Sequence, residues 1–199
     1  MKMKKLLIAT KNKGKVNDFN QLFSKYGIEI LSLLDFKEEV EDIEETGTTF
    51  FENARIKAET VMKKYHLPVL ADDSGLVVDA LNGEPGVFSA RYAGEEKNDL
   101  ANVHKVLQRL QGVPKKDRTA RFVCVLAVAQ PNQPTMYNKG TCEGEILEVP
   151  RGENGFGYDP IFLPRGFKRS MAELSLVEKN EISHRKFAMD QLEQWLTSK

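Results

Sequence analysis

The chain has 199 residues, 41% of them hydrophobic, and its 29 lysines and arginines are balanced by 29 aspartates and glutamates. That size suits one domain, or one domain with two lobes, and is enough to bury a sizeable core. Zero net charge weighs against a protein that coats nucleic acid or anionic membrane by bulk attraction, while leaving room for a local basic pocket.

The opening stretch Met1-Lys2-Met3-Lys4-Lys5 is basic, but the apolar run behind it, Leu6 to Ala9, falls short of the roughly 7 residues of a secretory core. No segment approaches the roughly 18 apolar residues of a membrane span, so a cytoplasmic protein is expected. Cys124 and Cys142 offer neither metal-ligand spacing nor a disulfide framework, and both are expected as free thiols.

Leu6 to Ala9 reads as a buried strand. Val16, Phe19, Leu22, Phe23 and Tyr26 then recur at helical spacing and stop at Gly27, a C-terminal cap. A second helix is predicted to begin near Thr49, because Thr49 and Glu52 have capping-box spacing, with Phe51, Ala54, Ala58, Val61, Met62 and Tyr65 as its buried stripe. Pro68 to Ala71 and Leu76 to Leu81 read as strands separated by Asp72-Asp73-Ser74-Gly75. A third helix is expected from about Asn98 to Leu110, turning Leu100, Val103, Leu107 and Leu110 inward and closing at Gly112. Phe122 to Ala129 and Thr135 to Glu148 are β-rich, with Pro131 and Pro134 marking the turn between them. A last helix from about Ser183 to Leu196 would bury Phe187, Ala188, Leu192, Trp195 and Leu196. Early alternation of helix and strand followed by a hairpin favours a mixed sheet in an α/β protein. No repeat, low-complexity tract or linker divides the chain, so residues 1–199 read as a single domain.

Chemistry concentrates in the polar insertions. Thr10-Lys11-Asn12-Lys13-Gly14-Lys15 lies between a strand and a helix, where free backbone N–H groups and the positive dipole end suit an anion. It is not a P-loop, since that pattern needs glycine where Ala9 stands, and it also reads as a solvated basic loop. Glu38, Glu39, Glu41, Asp42, Glu44 and Glu45 form an acidic run that for most of its members reads as solvated surface. Asp72 and Asp73 directly follow a strand, where α/β sheets gather ligands, although Asp-Asp-Ser-Gly is also good turn chemistry. Together these supply what a magnesium–phosphate site needs: hard oxygen ligands for the metal and cations for the remaining phosphate charge. In Gly155-Phe156-Gly157-Tyr158-Asp159-Pro160, Phe156 between glycines could offer a ring face to a base, worth roughly 1–3 kcal/mol, or could plug a turn. Arg185, in Ser183-His184-Arg185, could donate to a purine O6/N7 edge; the tripeptide also reads as a helix cap with surface residues.

In order along the chain, Thr10 to Lys15, Glu44-Glu45-Thr46-Gly47, Ala71 to Leu76, Gly86-Val87-Phe88-Ser89-Ala90-Arg91-Tyr92, Gly155 to Pro160 and Ser183-His184-Arg185 resemble the pyrophosphatases of non-canonical purine nucleoside triphosphates, also called dITP/XTP or inosine triphosphate pyrophosphatases. The resemblance covers nearly the whole chain. It implies hydrolysis of ITP, dITP or XTP to the monophosphate and pyrophosphate with Mg2+, an elongated mixed α/β fold with two lobes and an active-site cleft, and a homodimer. Carried over by position, Thr10, Lys11, Asn12, Lys13, Gly14 and Lys15 would bind the triphosphate, and Glu44 and Asp73 would bind the metal. Asp73 would also serve as the base, Ser74 would contact substrate, and Phe156, Gly157, Tyr158, Asp159, Lys179, His184 and Arg185 would complete the nucleotide site. Three rival readings remain: a non-hydrolytic purine-nucleotide-binding regulator, a P-loop phosphotransferase disfavoured by Ala9, and a nucleic-acid-binding module disfavoured by the zero net charge.

Overall fold

In the computed structural model, which describes residues 4–11, 13–36 and 43–197, the first apolar run forms strand β1 (Lys5–Ile8), with Leu6, Leu7 and Ile8 buried. Asn12, Glu38, Glu39, Glu41 and Asp42 lie outside the described residues, as do the side chains at positions 13, 14, 18, 21 and 22. Helix α1 (Lys13–Ser24) buries Phe19 and Phe23, whose ring centroids lie 6.4 Å apart, and the chain turns away at Gly27 with φ +64°. A strand that the sequence pattern did not reveal follows, β2 (Glu29–Ser32), pairing in parallel with β1 in the register Leu6↔Ile30. Four residues carry no period of their own; pairing with β1 defines them.

Helix α2 (Phe50–Tyr65) starts where its capping box predicts: Glu52 N–H donates to Thr49 Oγ1 and Thr49 N–H to Glu52 Oε2, each at 3.1 Å. Its buried stripe differs in part from expectation. Ala54, Ala58 and Val61 are buried with Asn53, whereas Phe51 is exposed and meets Tyr137 edge-on at 5.6 Å. Asn53 is held inward because its Oδ1 accepts the Gly47 N–H at 2.8 Å. Met62 and Tyr65 are half-buried.

The expected pair of strands with a turn at Asp72-Asp73-Ser74-Gly75 is instead one ten-residue strand, β3 (Val69–Val78). Turn propensity loses because both carboxylates find lysines, which makes their burial in a strand tolerable. Helix α3 (Asp99–Arg109) is capped by Asn98, whose side chain accepts the Ala101 N–H at 3.0 Å. Asn102, Val103 and Val106 face inward; Leu100 is exposed and Leu107 half-buried, because Asn102 bonds Ala93 N–H and the Ala90 carbonyl and so turns the helix. Strands β4 (Thr119–Ala129) and β5 (Met136–Ile146) flank the proline-marked connection. After them come β6 (Phe162–Pro164), α4 (Leu176–Ile182) and α5 (His184–Thr197). Of the apolar residues expected to be buried on the last helix, Ala188 and Leu192 are, Trp195 and Leu196 are half-buried, and Phe187 is exposed.

The strand order is β2-β1-β3-β4-β5-β6, parallel between β1 and its two neighbours and antiparallel between β5 and β6, which makes the mixed α/β sheet expected. The chain forms two compact units. The first comprises Met1–Asp73, Val125–Lys139 and Met189–Lys199; the second comprises Ser74–Cys124 and Gly140–Ala188. The second has its own core, built on Leu76, Val78, Val106, Leu110, Ile161 and Phe162. Cys124 and Cys142 are both free and buried. Among the described residues no helix is long and apolar enough to cross a membrane.

Candidate active site

In the first unit, backbone pairing brings the end of β1 to the start of β3. Leu7 and Ile8 pair with Val69 and Leu70, and Ala9 N–H donates to the Leu70 carbonyl at 2.8 Å. Thr10 and Lys11 follow and lead into α1, which opens at Lys13 and Gly14. Along a strand, successive side chains point to opposite faces. Asp72 accordingly accepts from Lys15 in the first turn of α1, at 2.7 Å, while Asp73 accepts from Lys57 of α2, at 3.0 Å. Lys57 also donates to Glu45 at 3.2 Å. Glu44, the neighbour implied as a metal ligand, is exposed.

Lys57, absent from the set that the resemblance implies, joins this charged cluster. Burial pulls its pKa down, but Asp73, Asp72 and Glu45 outweigh burial, so the ammonium is held above its usual value. A signal was present: Asn53 and Lys57 lie at helical spacing beside Ala54, Ala58 and Val61, so polar groups share the inward stripe.

Asp73 is shifted the other way for an acid. Burial raises its carboxyl from 3.8 to about 6; the Lys57 ammonium opposes this, and Glu45 and Asp72 add to it. Its Oδ2 is buried without a hydrogen-bond partner among the described residues. An unbonded carboxylate oxygen beside two other acids suits a hard divalent cation or a reacting water. Among the described residues no three acid, imidazole or thiol groups converge closely enough to enclose a cation by themselves. A hard divalent cation that takes one or two carboxylates and completes its shell with water fits this donor set.

The second unit carries other residues that the resemblance implies. Ser74 sits on β3, half-buried. Phe156 is 66% exposed, and the Lys179 ammonium stands 4.6 Å from its ring centroid. Lys179 also donates to Asp159 Oδ2, the same oxygen that accepts the Phe156 N–H at 3.0 Å. Tyr158 is buried, its hydroxyl donating to the Ser89 carbonyl at 2.7 Å; Ser89 Oγ in turn accepts the Leu76 N–H of β3 at 2.8 Å. Lys179 lies on α4, a helix absent from the sequence expectation although its signal was legible: Ser175 and Glu178 form a reciprocal capping box.

His184 and Arg185 open α5. The His184 ring stacks on Phe122 at 5.1 Å with a 21° interplanar angle, and Arg185 Nε is buried without a partner among the described residues. This helix start lies directly against β5 at Gly140, where a Cβ would come within 2.1 Å of the His184 carbonyl oxygen. Of the expected set, Lys15 and Asp73 lie in the first unit, beside Asp72, Lys57 and Glu45, and Phe156, Asp159 and Lys179 lie together in the second.

A model of the Ham1 family matches residues 6–195. The dITP/XTP pyrophosphatase of Oceanobacillus iheyensis is 57% identical over 194 residues, covering 98% of each chain. The solved HAM1 protein of Coxiella burnetii superposes with TM-score 0.93 at 45% identity, covering 99% of this chain and 100% of its own. The Staphylococcus aureus Ham1 protein gives 0.90 at 46% identity, covering 98% and 99%. The chain belongs to the Ham1 family.

Proposed function

We propose that this protein hydrolyses purine nucleoside triphosphates of the ITP, dITP and XTP kind to the monophosphate and pyrophosphate, with Mg2+, and that residues 1–199 act as one nucleotide-pyrophosphatase domain. The observation that carries this is Asp73: a buried carboxylate with an unbonded oxygen, raised to about 6 and flanked by Lys57, Asp72 and Glu45. A base poised near neutral pH in a basic and acidic surround suits hydrolysis of a charged phosphoanhydride.

In this reading Asp73, ionised above about pH 6, accepts a proton from the water that attacks the α-phosphorus. The bond to the bridging oxygen breaks and pyrophosphate leaves. Lys57 holds Asp73 in place and favours its ionised form. Thr10, Lys11, Asn12, Lys13, Gly14 and Lys15 take the phosphate chain, through the N-terminal end of α1 and lysine charge. Glu44 and Asp73 would hold the divalent cation, which would supply neutralisation of phosphate charge. Ser74 contacts the substrate, Phe156 offers a stacking face, and Gly157, Tyr158, Asp159, Lys179, His184 and Arg185 complete the nucleotide site. A donor such as Arg185 opposite O6 accepts hypoxanthine and xanthine but meets a 6-amino group on adenine, a polar mismatch able to support large discrimination. The family resemblance further implies a homodimer, and the balanced charge and short apolar runs suit a cytoplasmic protein that binds neither nucleic acid nor membrane.

The test is a nucleotide panel with Mg2+ in which monophosphate and pyrophosphate are measured separately. Pyrophosphate is expected from ITP, dITP and XTP well ahead of ATP. Orthophosphate as the first product, or equal turnover of ATP, would overturn the assignment.

A further inference from the structure

A stacking platform is useful only if its ring is aimed. Phe156 is two-thirds exposed, so packing does little to direct it and the backbone on either side must. The direction of its Cα–Cβ bond is set by two peptide planes. The plane before it carries the Phe156 N–H, which Asp159 Oδ2 accepts at 3.0 Å. The plane after it carries the Gly157 N–H, which Asp99 Oδ2 accepts at 2.8 Å; the carbonyl of that plane takes only a longer bond, 3.3 Å, from Asp159 N–H. Gly157 itself has φ +61°, in the left-handed region, while a Cβ there would meet nothing within 4 Å. Glycine is therefore present for conformation and not for space, and the turn needs a bond from outside the loop to hold it firmly.

Asp99 is well placed to do so. It is the first residue of α3, a helix whose start is fixed by the Asn98 cap and whose face is anchored by Asn102, Val103 and Val106. A carboxylate in a helix's first turn is itself favoured by the helix dipole. Bonds from such a rigid element hold a loop more closely than bonds within the loop.

We propose that Asp99 is a positioning residue for purine binding: by accepting the Gly157 N–H it fixes the peptide plane after Phe156 and keeps that ring presented to the base. The inference rests on Phe156 being the base platform, as proposed above. Loss of the clamp lowers the fraction of molecules with the ring in place and so weakens apparent binding in proportion. Because stacking acts alike on substrate and transition state, the effect falls on KM and leaves kcat nearly unchanged.

The test compares Asp99→Ala, Asp99→Asn, Phe156→Ala and the Asp99→Ala/Phe156→Ala double variant for pyrophosphate release from ITP, alongside hydrogen exchange of the Gly157 amide without nucleotide. Asp99→Ala is expected to raise KM about three- to tenfold, with kcat within about twofold. Asp99→Asn, whose amide oxygen still accepts, restores KM, and in the Phe156→Ala background the alanine adds nothing further. Gly157 exchange speeds up in Asp99→Ala and returns with asparagine. Should alanine prevent folding, Asp99→Ser keeps a polar helix start but is too short to reach Gly157, and takes its place. A loss confined to kcat, effects that add fully across the double variant, or unchanged Gly157 exchange would each overturn the proposal. Wild-type protein that releases no pyrophosphate from ITP sinks the functional reading and with it the role in purine binding, while the Gly157 amide still tests the clamp on its own.

Discussion

Replacing Asp73 with asparagine should make the protein more stable and far less active. In the folded state burial raises this carboxyl from 3.8 to about 6. Between those two pH values the folded chain holds a proton that the unfolded chain has released. The stability tied to that proton is fully present below about pH 4 and lost as pH rises through about 6. A shift of roughly two units corresponds to about 3 kcal/mol, the cost of keeping Asp73 ionised at neutral pH. Asparagine never ionises and escapes that cost, but it leaves Lys57 with Glu45 and Asp72 only. We therefore expect Asp73→Asn to be more stable by about 1–3 kcal/mol at pH 7.5, raising the melting temperature by roughly 2–10 °C in metal-free buffer. By pH 5 the advantage should fall by about half, because the wild-type carboxyl is then mostly protonated. Urea and thermal melts at the two pH values measure it, and pyrophosphate release from ITP should drop by several orders of magnitude in the same variant. A variant that melts below wild type at pH 7.5 would refute the reasoning, since the Lys57–Asp73 pair would then be a net stabiliser. Near-normal turnover would remove Asp73 from the chemistry.

Two further outcomes follow from the same geometry. Lys57→Met removes the strongest influence holding Asp73 down, so the acid limb of the kcat/KM profile should move upward by roughly 1–3 pH units, and an unmoved limb would detach Lys57 from Asp73. Gly140→Ala puts a methyl within 2.1 Å of the His184 carbonyl oxygen, so α5 must shift. A loss of about 2 kcal/mol or more is expected in thermal melts, together with weaker ITP binding; a melt within about 1 °C of wild type would show that the helix has room to move.

Much of the local structure was legible because it depends on near neighbours. Thr49 and Glu52 set the start of α2 through bonds between residues three apart, and Asn98 does the same for α3. β1 was marked by its own apolar run, and the exit from α1 by Gly27. Ser175 and Glu178 carry the same signal at the start of α4, the helix of Lys179. Helix faces were less legible: Phe51 and Leu100 fit the inward period yet lie exposed, because buried Asn53 and Asn102 bond to neighbouring backbone and rotate their helices.

The amino-acid order by itself determined helices α1, α2, α3 and α5, where most of them start, the mixed sheet, and the residue types needed for a nucleotide. Only the tertiary structure decided that Asp72 and Asp73 lie within one strand and not on a turn, and which basic side chain each one meets. The reason is distance along the chain: Asp72 is 57 residues from Lys15 and Asp73 is 16 from Lys57, and a carboxylate's pKa depends on the charges beside it in space.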